Sequence, residues 1–231
     1  MKRRAIWIPA GLAILLLGCS NRPEQFILPD QVSDFSALYE SNCAGCHGRD
    51  GHFGAARPLK DPLFLALIGK EKLRDVIAKG VTGTAMPAFA QNAGGGLTEQ
   101  QITILAEQIE EHWSRAQELV GIALPPYSTD LGDAKQGETV FHDYCSRCHG
   151  KDGLGGAKGG SVVNPAFLAL VSNQSLRTTV IAGRADQGAP DFRSYSPSHV
   201  ITGQEVSDVV AWISAHRAFP GNRAKGGTNL P

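Results

Sequence analysis

The sequence predicts an all-α protein of two tandem domains, and three observations carry that expectation. The pentapeptide Cys43-Ala44-Gly45-Cys46-His47 recurs as Cys145-Ser146-Arg147-Cys148-His149. Its surroundings recur with it: Cys43 to Gly51 matches Cys145 to Gly153 at an offset of 102, and single-residue insertions carry the register to His112 and His216 at 104. Between these, Leu65-Ala66-Leu67 pairs with Leu168-Ala169-Leu170, Gly80 with Gly183, Pro87 with Pro190 and Phe89 with Phe192. Apolar residues at helical spacing flank both pentapeptides, and a duplicated unit explains the self-match better than chance.

The elements follow in chain order. Lys2, Arg3 and Arg4 precede an apolar run from Ala5 to Leu17 that is short for a membrane span, so residues 1–18 read as a signal peptide. Leu16-Leu17-Gly18-Cys19 resembles a bacterial lipobox, which makes Cys19 the lipidated first residue and 19–31 a tether. The first domain is expected at 32–115. Its opening helix carries Phe35, Leu38 and Tyr39, and its last carries Ile102, Leu105, Ile109 and Trp113 behind a capping box at Thr98 and Gln101. Residues 116–131 read as a linker stiffened by Pro125 and Pro126. The second domain, 132–218, repeats the plan with Gly137, Val140, Phe141 and Tyr144, then Val206, Val209, Val210 and Ile213 behind Thr202 and Glu205. Gly137 is expected to let its helix cross closely against the last one near Trp212, and residues 219–231 read as a flexible tail.

The repeated Cys-x-x-Cys-His points to covalently attached haem c, once per copy. Two cysteines three apart supply two thioether anchors, and the following histidine lies beneath the iron as axial ligand. The cofactor-binding residues are therefore Cys43, Cys46, His47, Cys145, Cys148 and His149. A four-cysteine zinc site is the bland alternative, but its paired hooks lie roughly 15–20 residues apart. A thioredoxin-like redox pair calls for a βαβ setting that neither motif has. Of five cysteines, four hold haem and one lipid, leaving none for a disulfide. The chain has 22 basic and 22 acidic residues; removing the leader leaves 19 against 22, and nothing suggests a nucleic-acid partner. With 42% hydrophobic residues and 27 glycines, the apolar core is thin unless cofactors complete it.

Each copy resembles a class I cytochrome c domain, and the pair resembles bacterial dihaem cytochromes c such as the dihaem subunit of cbb3-type oxidases and cytochrome c4. The resemblance covers about residues 32 to 218. It implies a small helical fold wrapping each haem, one exposed haem edge for electron exchange, and attachment outside the cytoplasmic membrane. It also places Met86, the one methionine besides the initiator, as the distal ligand of haem 1 opposite His47, and puts Pro58 near a proline whose carbonyl orients the proximal imidazole.

The second copy departs from this pattern, because Ala189 stands at the methionine position. His199, which faces Gly95 in the alignment, is the foremost replacement ligand; an open or water-ligated iron and the side chains of His142, His216, Tyr195 and Lys158 are the alternatives. His52 and His112 read as surface or structural residues, and Lys70 to Arg74 as a solvated helix face. Ser161 replaces Pro58 and sets haem 2 apart from haem 1.

The expected function is a membrane-tethered electron carrier on the periplasmic side, not an enzyme, passing single electrons from a quinol-oxidising complex or dehydrogenase to an acceptor such as a terminal oxidase. Two rivals stand beside it. One is a peroxidase-like redox enzyme working at the second haem, and the other a fixed subunit of a larger respiratory complex.

Overall fold

The computed structural model describes residues 27–127 and 132–217. The leader, Cys19, most of the tether and the tail lie outside the described residues. Among the described residues there are ten α-helices and no strand, only isolated bridges, and no helix long and apolar enough to cross a membrane. The first copy contains α1 (Phe35–Asn42), α2 (Ala44–His47), α3 (Pro62–Ile68), α4 (Lys70–Lys79) and α5 (Glu99–Trp113). The second repeats them as α6 (Ala134–Tyr144), α7 (Ser146–His149), α8 (Pro165–Leu170), α9 (Asn173–Ala182) and α10 (Gly203–Ala215).

Local chemistry sets where the helices begin. Both expected capping boxes form: the hydroxyls of Thr98 and Thr202 accept from the N–H groups of Gln101 and Glu205, whose side chains accept in return from the cap N–H groups. Asp34, Asp61, Asp133, Asn164 and Ser172 cap α1, α3, α6, α8 and α9 in the same sense, and Pro62 and Pro165 open α3 and α8 where no N–H is needed. The predicted stripes are the ones buried: Ile102, Leu105 and Ile109 on α5, and Val206, Val209, Val210 and Ile213 on α10.

The two copies solve the first-against-last helix crossing differently. In the second, a Cβ on Gly137 would stand 1.9 Å from the Asp208 carbonyl oxygen, so only glycine lets α6 lie this close to α10. Phe141 then stacks on Trp212 at 4.3 Å between centroids. In the first, Phe35 occupies the position equivalent to Gly137 and wedges the helices with an aromatic cluster, stacking on His112 at 4.9 Å while Tyr39 meets Trp113 edge-on at 5.2 Å. Both solutions end with a tryptophan ring over the same glycine. Cβ atoms on Gly51 and Gly153 would strike Trp113 at 2.9 Å and Trp212 at 3.3 Å, although the two tryptophans come from different positions on the last helix.

The core is continuous across both copies. α3 packs against α9 of the second copy and against the 3₁₀ turn Ala116–Leu119. Pro126 and Tyr127 of the linker are tied down: Arg177 donates to the Pro126 carbonyl at 2.9 Å and Gln174 to that of Tyr127 at 2.7 Å.

Gly137→Ala tests the close crossing. Helix propensity alone favours alanine by about 1 kcal/mol, so a net loss isolates the clash. Thermal unfolding should show Gly137→Ala less stable by about 1–3 kcal/mol, the usual cost of overpacking. Gly45→Ala, where an added Cβ meets nothing within 4 Å, should not destabilise.

Candidate functional site

Each pentapeptide turns the chain from one helix into a one-turn helix. Cys43 ends α1, and its carbonyl accepts from the N–H groups of Cys46 (3.1 Å) and His47 (2.9 Å); Cys145 does the same for Cys148 (3.1 Å) and His149 (3.0 Å). This places each cysteine pair and its histidine within a single turn. Gly48 and Gly150, with φ of 81° and 78°, then reverse the chain in a conformation that favours glycine. The following loop folds back onto the motif so closely that a Cβ on Gly54 would lie 2.1 Å from the Cys46 carbonyl oxygen, and one on Gly156 2.6 Å from that of Cys148.

The loop's return delivers a carbonyl to each imidazole. His47 Nδ1 lies 2.7 Å from the Arg57 oxygen and His149 Nδ1 2.8 Å from the Gly160 oxygen. A carbonyl only accepts, so Nδ1 carries the proton and Nε2 is left with its lone pair, the form required of a metal ligand. Burial holds the His47 ring below the usual histidine range, partly offset by the Arg57 carbonyl, which keeps it neutral at physiological pH. The orienting carbonyl is therefore not that of Pro58 but of the residue before it. A backbone acceptor needs no particular side chain, so Gly160 serves as well, and Ser161 at the Pro58 position leaves the bond intact.

Burial, reinforced by the neighbouring Cys46 and Cys148, pushes the Cys43 and Cys145 thiols up to about 12, so both are neutral thiols at physiological pH. Among the described residues no three His, Cys, Asp or Glu side chains converge to hold a metal ion, so the two cysteine pairs do not build a four-cysteine zinc site. Two thiols and one Nε2-free imidazole per copy, with Gly159 small because a Cβ there would press on the His149 ring at 2.8 Å, fit haem c held by Cys43, Cys46 and His47 and by Cys145, Cys148 and His149.

The loops that carry Met86 and Ala189 share one backbone scaffold. After positive-φ Gly80 and Gly183, the Val81 N–H donates to the Met86 carbonyl and the Arg184 N–H to the Ala189 carbonyl, each at 3.0 Å. Phe89 and Phe192 then donate to Ile77 and Ile181. Met86 and Ala189 thus occupy equivalent positions, a thioether side chain in the first copy standing where the second has a methyl group. In the first loop the Thr84 hydroxyl also accepts from the Met86 N–H at 3.2 Å.

The other sequence candidates are dispersed. The His199 ring stacks on Tyr144 at 5.4 Å, and its Nε2 lies 2.9 Å from a Glu205 carboxylate oxygen. Tyr195 is close enough to Cys145 and Cys148 to be raised by them as well as by burial, and its hydroxyl donates to Val180 at 3.3 Å. His142 meets Phe141 edge-on, His216 packs edge-on against Trp212, and Lys158 is exposed. His52 and His112 bond to nearby carbonyls, as structural residues do. Sequence reasoning missed the Arg57 side chain. It leaves the first copy, donates to the Gly183 carbonyl (3.1 Å) and the Thr179 hydroxyl (2.8 Å) in the second, and is pulled by burial, against Asp61, to about 10, still charged at neutral pH.

The family described as Cytochrome C oxidase, cbb3-type, subunit III matches residues 30–108 and again 132–213. Among individual relatives, the cbb3-type cytochrome c oxidase subunit CcoP of Azospirillum brasilense is 31% identical over 130 residues, covering 52% of this chain and 39% of that protein. Subunit FixP of Sinorhizobium medicae is 28% identical over 155 residues, covering 61% and 48%. A thiosulfate dehydrogenase of Stutzerimonas stutzeri is 29% identical over 180 residues, covering 74% and 56%. The chain spans about half the length of these relatives.

The Glu205 carboxyl carries a pH prediction. Burial raises it, but the Thr202 N–H, the His199 ring and the Thr202 hydroxyl together outweigh this and hold it below the usual glutamate range. Its contribution to stability is then full above the ordinary glutamate value and is lost as pH falls through the lowered one. Glu205→Gln should be less stable than wild type near neutral pH, and the two thermal midpoints should converge in acid below the lowered value.

Proposed function

The chain belongs to the family of Cytochrome C oxidase, cbb3-type, subunit III, and from this we propose that it is a periplasmic, lipid-tethered cytochrome with two haems c that passes single electrons between respiratory partners. The observation that carries the proposal is the twice-repeated constellation of two thiols and an imidazole whose Nδ1 is bonded to a loop carbonyl, at His47 and His149. Haem c bound there supplies one-electron chemistry by cycling between ferric and ferrous iron. The chain's own residues then bind, orient and bury it: Cys43 with Cys46 and Cys145 with Cys148 anchor it, and the Arg57 and Gly160 carbonyls aim the two imidazoles. Carriage of electrons asks little more of a protein than ligation, burial and a docking face.

Met86 is proposed as the second axial ligand of the first site. At the second site His199 is the proposed ligand, reaching it on release from Glu205. Cys19 is proposed to carry the lipid anchor, which would keep the carrier near membrane partners at raised effective concentration. Those partners are proposed to be a quinol-oxidising complex or dehydrogenase as donor and a terminal oxidase as acceptor, and permanent incorporation in such a complex is the nearest variant. A second reading, a redox enzyme at the second site, draws support from the engagement of His199 by Glu205 and from the likeness to a thiosulfate dehydrogenase.

Mass spectrometry of the denatured protein should find two haem masses still attached. Met86→Ala should abolish the weak far-red sulfur-to-iron absorption and lower one potential only, because loss of the thioether removes its preference for ferrous iron. An unchanged band sinks the Met86 assignment. His199→Ala should convert one haem from low-spin to high-spin by electron paramagnetic resonance and open it to carbon monoxide. A second haem already high-spin and gas-binding in the wild type favours the enzyme reading over His199 ligation.

A further inference from the structure

Arg57 has its backbone in one haem site and its side chain in the other domain. Its carbonyl accepts from His47 Nδ1 at 2.7 Å. Its guanidinium crosses to the second domain, where Nη1 donates to the Gly183 carbonyl at 3.1 Å and Nη2 to the Thr179 hydroxyl at 2.8 Å; that hydroxyl donates in turn to Ser175 within α9. The side chain is only 15% exposed, lies over the Phe64 ring with 5.4 Å to the centroid, and is flanked by Asp61 at 3.8 Å. A cation this enclosed, with two donors on two fixed acceptors, holds one geometry.

What it grips is the base of the second distal loop. Gly183 ends α9, and the next N–H, that of Arg184, closes the loop onto Ala189, the counterpart of Met86. A continuous covalent and hydrogen-bonded path therefore runs from the His47 ring through residue 57 to the Gly183 carbonyl. The counterpart of Arg57 is Gly160, which has no side chain with which to return the contact.

We propose that Arg57 is the positioning residue for electron exchange between the two haem sites, locking the proximal wall of the first against the distal loop of the second. The proposal rests on the two-haem carrier reading above. In the step it serves, one electron leaves the ferrous site, which becomes ferric, and reduces the ferric site to ferrous. No proton moves, and Arg57 is unchanged.

The test uses the full-length holoprotein with Arg57→Met and Arg57→Lys. Both keep the residue 57 carbonyl, and Thr179→Val, which removes the acceptor hydroxyl without touching the His47 bond, should leave haem content and both haem spectra as in the wild type. After rapid reduction of one haem, electron equilibration between the two should slow about tenfold in Arg57→Met, the scale of an ordinary coupling between sites. Arg57→Lys, with a point charge in place of the fork, should fall between. Amide hydrogen exchange across residues 183–189 should rise about tenfold in Arg57→Met, as expected when a tertiary restraint on a loop is lost. An unchanged equilibration rate overturns the proposal, and so does an unchanged exchange profile. Fewer than two covalent haems in the wild type would instead refute the two-haem reading itself.

Discussion

The hydrogen bond from each proximal imidazole to a loop carbonyl is the constraint on which the rest of the structure depends. To bring the Arg57 oxygen to His47 and the Gly160 oxygen to His149, the chain must reverse immediately after each pentapeptide and lie back upon it. The reversal needs the positive φ of Gly48 and Gly150, and the close approach excludes a side chain at Gly54 and Gly156. A second tight turn at Gly51 and Gly153 lies directly beneath a tryptophan from the last helix, which ties the loop to the first-against-last helix crossing. The glycine content that looked thin as core material is in part the requirement of a loop packed backbone to backbone.

Much of this was legible in the sequence because it is carried by side-chain identity at fixed spacing. The two capping boxes, the buried stripes of α5 and α10 and the close crossing at Gly137 all follow from residues whose chemistry acts locally. The equivalence of Met86 and Ala189 was also legible, because the glycine and phenylalanine that frame each loop are conspicuous in the repeat. What escaped was carried by the backbone or by distance in the chain. A carbonyl has no sequence identity, which is why Pro58 seemed to matter when the acceptor was the oxygen of the residue before it. The Arg57 contacts with Thr179 and Gly183 span more than a hundred positions, and no local pattern marks an arginine that leaves its own domain. The burial of Arg177 beneath the linker escaped for the same reason.

Duplication has kept the cofactor-binding turn and relaxed what surrounds it. Trp113 and Trp212 reach the same spot from different positions on the last helix, so the volume over the glycine is preserved while its source is not. Phe35 in place of the glycine equivalent to Gly137 exchanges a close backbone crossing for an aromatic wedge. The aromatic wedge leaves a cavity of about 220 Å³ beside Phe35, Tyr39 and Trp113, whereas at Gly137 an added Cβ has no room, so each arrangement tolerates a different set of substitutions.

The contact between α3 and α9 is made by non-equivalent surfaces, since α8 and α4, the counterparts of these helices, make no contact of comparable extent among the described residues. An interface of unlike faces does not close on itself as a two-fold one would. The pair of domains therefore has polarity. The first copy carries α4, bearing Lys70, Lys72, Arg74 and Lys79, and the second carries α8, where Phe167 is 39% and Leu170 70% exposed although their counterparts Phe64 and Leu67 are buried. Phe64 and Leu67 lie buried on the helix that packs against α9 while their counterparts on α8 face outward, so the two copies are not interchangeable across this contact.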